Sequence, residues 1–195
     1  LSNPSKIDNF EQVSIYYLDD EMRERLLNTH RECVFNWATR DGWPVGVIMS
    51  YYWANGRFWL TAGGNRHRIE AVRRDPRVSV VVTSTGTELG PGKTVTVKGR
   101  AIIHEDRETK EWFYPAFANH LNPTSPEAAK RFAEMLDSPL RVVIEVVPEK
   151  WITYDGAKMG AHAAGTIDPK VLGEPKSSDT VRFEKELQRL GLSEG

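Results

Sequence analysis

RFWLTAGGNRHRIEAVRRDPRVSVVVT, residues 57–83, is the stretch whose reading decides the fold. It divides into a β-prone run (Arg57–Thr61), a turn (Ala62–Asn65), a short basic helix over about residues 66–74, and a second β-prone run after Asp75-Pro76. Gly63 and Gly64 permit a tight backbone and the close approach of a ligand that a Cβ would obstruct. Asn65 is placed to cap a helix whose first-turn N–H groups lack intrahelical partners and carry partial positive charge. Those N–H groups, the Thr61 hydroxyl and the basic side chains of Arg66, His67 and Arg68 suit a phosphate. Taken alone, the same run also fits a solvated corner whose arginines face water. The flanking sequence has to separate the two.

Working outward, Asn55-Gly56 is a strong hairpin signal that joins the strand at 57 to VGVIMSYYWA (45–54). Asp41-Gly42 joins that run in turn to CVFNWATR (33–40). Upstream, Asp19-Asp20-Glu21 before MRERLLNTH predicts a helix over about 19–30, with acids at its favourable end. Downstream, RVSVVVTST (77–85) and TVTVKGRAIIHE (94–105) are further strands, and two helices are expected at Arg107–Leu121 and Pro126–Asp137, with Ser125 as a cap. LRVVIEVVP (140–148) and WITYDG (151–156) supply a last strand pair or one long bent strand. Gly, Ala, Pro and Ser dominate from Ala157 to Ser178, which reads as loop, and a terminal helix is expected at 181–190. Six strands joined mainly by short connections, with helices at the edges, predict a mainly β (α+β) fold built on a closed or nearly closed antiparallel barrel, since closure removes exposed edges. A doubly wound parallel sheet would need a helix after nearly every strand.

The chain has 195 residues, enough for one substantial core, so a single domain spanning 1–195 is expected, with its core at about 20–160 and a C-terminal tail at 161–195. Lys+Arg 26 against Asp+Glu 27 leaves a net charge of −1, which provides no global basic field for nucleic acid. The single cysteine, Cys33, rules out an internal disulfide framework, and the Asn-X-Ser/Thr triplets at Asn3 and Asn122 are blocked by proline. Apolar runs are too short to span a bilayer, and LSNPSKIDNF contains no secretory core. These features point to a cytoplasmic protein without membrane attachment.

Other motifs carry less. GTELGPGKT (86–94) resembles a phosphate-binding loop only superficially: Thr87 stands where the first glycine is required, and a strand follows instead of a helix. His30 and Cys33 lack a second ligand pair, so no metal site is expected. Cys33 lies in an apolar strand pattern, and no nucleophile elbow is present. No catalytic side chain is identified; Tyr51 and His162 are the candidate proton relays, with packing or surface roles as their alternatives. Six tryptophans, several on the predicted strands, are suited to core and interface, with a minority available to border a planar heterocycle.

Taken in order, Pro44–Val47 (P-V-x-V), Asn55–Thr61 (N-G-R-F-W-L-T), Arg66–Arg68 (R-x-R), Arg73–Val80 (R-R-D-P-R-V-S-V), Val97–Ala101 (V-K-G-R-A) and Trp151–Met159 (W-I-T-Y-D-G-A-K-M) resemble the FMN-binding split β-barrels. That family includes pyridoxamine 5′-phosphate oxidase and the flavin/deazaflavin oxidoreductases. The resemblance covers roughly residues 20–160. It implies a six-stranded antiparallel split β-barrel with peripheral helices, assembled as a homodimer with two cofactors at the interface. Carried over, Arg68 falls at the usual phosphate ligand, Arg66 beside it, and Thr61 at the hydroxyl donor, with His67 as the alternative to Arg66 because the turn at 62–65 is about one residue long for the family. Val47, Ile48 and Met49 fall where backbone atoms face the ring, and Trp151 and Lys158 in the segment that reaches the partner's site.

The resemblance implies a flavin-dependent oxidoreductase that passes hydride or electrons through bound FMN to a small-molecule substrate. A deazaflavin-dependent reductase using coenzyme F-420 is the alternative cofactor reading, with Arg57, His67 and Arg100 as contacts for its acidic tail. A non-catalytic flavin-binding carrier or sensor module is the alternative from another class. The arginine- and histidine-bearing motif by which pyridoxamine phosphate oxidases bind substrate is not visible in Trp151–Gly195, which implies a different substrate.

Overall fold

The computed structural model describes residues 9–192, so the reading of LSNPSKID and the last residues of the tail fall outside it. Helix α1 (Asp20–Thr29) leads into β1 (Glu32–Ala38), β2 (Pro44–Ser50), β3 (Tyr52–Ala54) and β4 (Arg57–Gly63). Helix α2 (His67–Arg74) connects to β5 (Arg77–Thr83) and β6 (Lys93–His104). The pair α3 (Arg107–Leu121) and α4 (Pro126–Leu136) precedes the long β7 (Arg141–Asp155), after which α5 (Gly156–Ala163) and α6 (Ser177–Leu190) close the described chain. The fold is α+β, built on an antiparallel sheet of seven strands in the order β2-β1-β5-β6-β7-β4-β3. The strands at the two ends of that order, β2 and β3, are separated only by Tyr51, so the sheet curls until its ends meet at one residue.

Seven strands replace the expected six because the run 45–54 breaks at Tyr51. The Tyr51 ring is fully buried, its hydroxyl donates to the Leu27 carbonyl at 2.9 Å, and its N–H donates to the Arg31 carbonyl at 3.0 Å. Anchoring this residue to the α1–β1 connection takes it out of the strand ladder. The Asn55-Gly56 hairpin forms as its sequence dictates, with φ of 55° and 69° at the two residues, the left-handed pair that lets a two-residue turn match strand twist.

By its contacts the chain divides into two compact units. The first comprises Glu24–Thr83 and Val95–Trp151. Within it Phe35, Phe58, Leu60, Val80, Val97 and Ile144 are fully buried. Strand β4 is buried on both faces, because Trp59 on its other side joins Phe113, Tyr114, Phe117, Leu136 and Val143 in a second cluster. The α3–α4 hairpin therefore covers one face of β4 and β7. Both helices start on the caps their sequences provide: Asp106 accepts from the Thr109 N–H at 2.7 Å and Ser125 from the Ala128 N–H at 3.3 Å.

The second unit comprises the described residues before Glu24, the β5–β6 connection Ser84–Thr94, and the described residues after Trp151. Its centre is Tyr16, whose hydroxyl meets His162 Nδ1 at 2.7 Å and whose carbonyl accepts from the Asp155 N–H at 2.7 Å. The stretch read as loop from Ala157 contains α5. Two glycines in eight residues weaken the helical signal, but the Asp155 side chain caps the Ala157 N–H at 2.9 Å and offsets part of that cost. GTELGPGKT is a turn-rich connection, with left-handed φ at Gly86, Gly90 and Gly92, that leads into β6.

Candidate functional site

The turn between β4 and α2 is built by backbone bonds. Gly64 donates its N–H to the Leu140 carbonyl at 2.6 Å, and Arg66 donates to the Gly63 carbonyl at 3.0 Å. A Cβ on Gly64 would lie 3.2 Å from the Leu140 backbone oxygen, so that position is constrained by close approach, whereas one on Gly63 would meet only the movable end of the Asn65 side chain. The expected cap does not form: the N-cap is Arg66, and no side chain bonds the first turn of α2. Asn65 is exposed, and its oxygen lies back over Gly63. The helix start is left open at the His67 and Arg68 N–H groups, while the Arg66 and Ile69 N–H groups are bonded to the Gly63 and Arg66 carbonyls.

Arg66 and Arg68 line a cavity of about 250 Å³. Thr61, Ala62 and Gly63 of β4 form one wall, Met49 and Ser50 at the end of β2 another. The α3–α4 hairpin supplies an apolar wall from Phe117, Leu121, Phe132 and Leu136, and Arg141, the first residue of β7, completes the lining. None of the lining residues is acidic.

The electrostatics of the cavity are one-sided. Arg68 Nε is buried without a hydrogen-bond partner. Burial, and then the neighbouring Arg66 charge, hold the Arg68 guanidinium below its ordinary pKa. Several arginines elsewhere are matched: Arg57 with Glu145, Arg77 with Asp75, Arg100 with Glu149, Arg107 with Asp137. Arg57 and Arg100, expected as free cations for an acidic tail, are thus engaged within the protein. The Thr61 hydroxyl already donates to the Val142 carbonyl at 2.9 Å, so it borders the cavity with its proton committed. Tyr114, beside Thr61, keeps a buried hydroxyl with no partner at hydrogen-bonding geometry, and burial raises its pKa.

The other sequence candidates separate. His67 is exposed and outside the lining. Of the β2 trio, Met49 is buried and reaches the cavity, Val47 pairs with Phe35, and Ile48 turns to the opposite face at 70% exposure. Strand β2 pairs only with β1, so the backbone groups on its other edge are unpaired within the sheet. Trp151 packs near Trp53, with ring centroids 6.0 Å apart, and Lys158 Nζ donates to the Tyr17 carbonyl at 2.9 Å. Neither lines the cavity. Tyr51 and His162 are held by the structural bonds described above, and burial raises the pKa of the Cys33 thiol, so it is a poor nucleophile. Among the described residues no cluster of three His, Cys, Asp or Glu is arranged for a metal, and no helix is long and apolar enough to cross a membrane.

A larger, mainly apolar cavity of about 380 Å³ lies by Trp37, Pro44 and Lys98, but two of its three charged lining residues, Arg77 and Glu149, are paired already, and the third, Lys98, is exposed. The arginine cavity is the better candidate because its guanidiniums converge and the buried Arg68 Nε lacks a partner. Sequence reasoning missed Arg141 and the apolar wall from α3 and α4. A basic residue opening the strand after Ser-Pro-Leu was visible, but not that this strand pairs with β4 in the register Gly63↔Arg141.

The sequence pattern described as pyridoxamine 5′-phosphate oxidase matches residues 18–155. The chain belongs to the pyridoxamine 5′-phosphate oxidase family. No curated protein matches it in sequence. Solved structures extend the family likeness at the level of fold. A conserved hypothetical protein of Mycobacterium tuberculosis superposes with a TM-score of 0.66 at 21% identity, covering 75% of this chain and 91% of that one. An F420 reductase gives 0.51 at 20% identity over 66% of this chain and 94% of its own. A FAD-binding protein of Mesorhizobium loti gives 0.51 at 20% identity, covering 70% and 94%. The family match spans every strand and both helices of the insertion, so the arginine cavity lies wholly within it.

Proposed function

We propose that this member of the pyridoxamine 5′-phosphate oxidase family is a flavin-dependent oxidoreductase that holds FMN by its phosphate in the arginine cavity and acts on a small molecule. The observation that carries the reading is the unpartnered, buried Nε of Arg68, in a cavity lined by arginines and by no acid. A phosphate supplies the acceptors these donors lack. Arg66, Arg68 and the open start of α2 would hold the phosphate, and the unpaired edge of β2 at Val47–Met49 would offer backbone bonds to the ring. FMN, when bound, supplies one- or two-electron transfer through its isoalloxazine. The chain's own contribution is binding, orientation and exclusion of water by Phe117, Leu121 and Phe132.

A deazaflavin such as coenzyme F-420 is the second reading, supported by the shared fold of the F420 reductase. A carrier or sensor module would bind the same cofactor without turnover. The homodimer draws support from the outer face of the sheet, where Val34 lies opposite both exposed Ile48 and Val81. The test is a visible spectrum of the purified protein, followed by titration with FMN and with coenzyme F-420. Saturable binding at micromolar concentration is expected for one of them, and reduction of the bound cofactor by a nicotinamide or deazaflavin donor distinguishes an enzyme from a carrier. Binding of neither overturns the reading.

A further inference from the structure

We propose that Arg141 is a third anion-holding guanidinium of this cavity, delivered by the turn that ends the α3–α4 insertion, and that the site takes a ligand group bearing at least two negative charges. The inference rests on the cavity being the cofactor site.

Three observations carry it. First, Arg141 is placed by the backbone. It stands opposite Gly63 in the β4–β7 ladder, its N–H donates to the Ser138 carbonyl at 3.0 Å, and the adjacent Leu140 carbonyl receives the Gly64 N–H. The turn carrying Arg66 and the turn carrying Arg141 are thus tied together before any ligand arrives, which lowers the cost of ordering them on binding. Second, the Arg141 side chain makes no hydrogen bond or ion pair with the described residues, although Asp137 stands four residues away and is taken by Arg107 instead. Third, Arg66, Arg68 and Arg141 line one wall system with no carboxylate, against apolar side chains from α3 and α4. Guanidiniums gathered beside an apolar wall repel one another and gain most from an anion. A phosphate monoester carries roughly −1.5 to −2 at neutral pH, and three arginines match such a charge where a single carboxylate would leave them under-neutralised.

The test uses Arg141→Gln and Arg141→Lys in the full chain, with inorganic phosphate followed by calorimetry and with FMN, coenzyme F-420 and riboflavin followed by visible titration. Arg141→Gln is expected to weaken inorganic phosphate and whichever phosphate-bearing cofactor binds by ~10–150-fold, while riboflavin, which has no phosphate, changes by less than about twofold. Arg141→Lys, which keeps the charge and loses the fork, should fall between. Thermal melts provide a second readout: without ligand the Gln variant melts no lower than the parent, and its phosphate-induced stabilisation shrinks. Unchanged phosphate affinity, or equal loss of riboflavin, overturns the role of Arg141. Arg141-dependent binding of inorganic phosphate in a protein that binds no flavin preserves the three-arginine site and removes the cofactor reading; failure of the parent to bind inorganic phosphate, FMN and coenzyme F-420 alike removes both.

Discussion

At the scale of single residues, the site is defined by what has no partner. Many ionised side chains among the described residues are matched locally, down to exposed pairs such as Arg189 with Glu186, which contribute little to stability. Arg68 is different because burial removes water from its Nε and nothing in the protein replaces it. An uncompensated buried donor costs stability and is retained where a ligand completes it. Arg68→Ala is therefore expected to weaken a phosphate-bearing cofactor by ~10–150-fold in a visible titration, with the fold intact because the guanidinium makes no bond within the protein. Undiminished affinity would move the phosphate elsewhere. Arg66 and Arg68 were legible as a basic helix start; that one is exposed and the other half-buried was not, because burial depends on which residues return over the turn. His67, between them, is carried to the solvent side by helical geometry.

At the scale of elements, the α3–α4 hairpin is an insertion between strands that does two jobs. Its inner side extends the core over Trp59 and Val143, and its open end walls the cavity. Phe117 takes part in both: it is 2% exposed, stacks on Phe113 with ring centroids 5.1 Å apart, and lines the cavity. Phe117→Ala is expected to cost about 3–5 kcal/mol in urea unfolding, the range for a large-to-small change in a packed core. A loss below about 1 kcal/mol would show that the hairpin is not packed on the sheet as described. The boundaries of these helices were legible, since the break Asn122-Pro123-Thr124-Ser125 separates the two runs and Ser125 is a cap residue. Their docking on β4 was not, because an amphipathic face says that it is buried but not against what. The break of one strand into β2 and β3 was likewise hidden, since Tyr51 is as β-prone as its neighbours and leaves the ladder only because its hydroxyl and N–H find acceptors around the α1–β1 connection.

At the scale of the whole molecule, the proposed homodimer has a specific basis. Ile48 is 70% exposed and faces Val34 across the β1–β2 ladder, on the strand that the cofactor reading also uses. Ile48→Asp is expected to convert a dimer to a monomer in analytical ultracentrifugation, since a charge in the middle of an apolar contact loses its hydration. A dimer that persists unchanged would place the interface on another face.

Pattern along the chain was enough for the strand-turn-helix-strand unit at 57–83, the Asn55-Gly56 hairpin, the Ser125 cap and the family, because each rests on φ/ψ preference or periodicity within a few residues. Pairing between distant segments settled the rest. The β4–β7 register put Arg141 opposite Gly63, and the α3–α4 hairpin closed the cavity beside them. The open start of α2 also depended on context, since Asn65 is a competent cap that lies over Gly63 instead. Turn chemistry is local and shows in the residues themselves, whereas the company an arginine keeps depends on which strand arrives beside it.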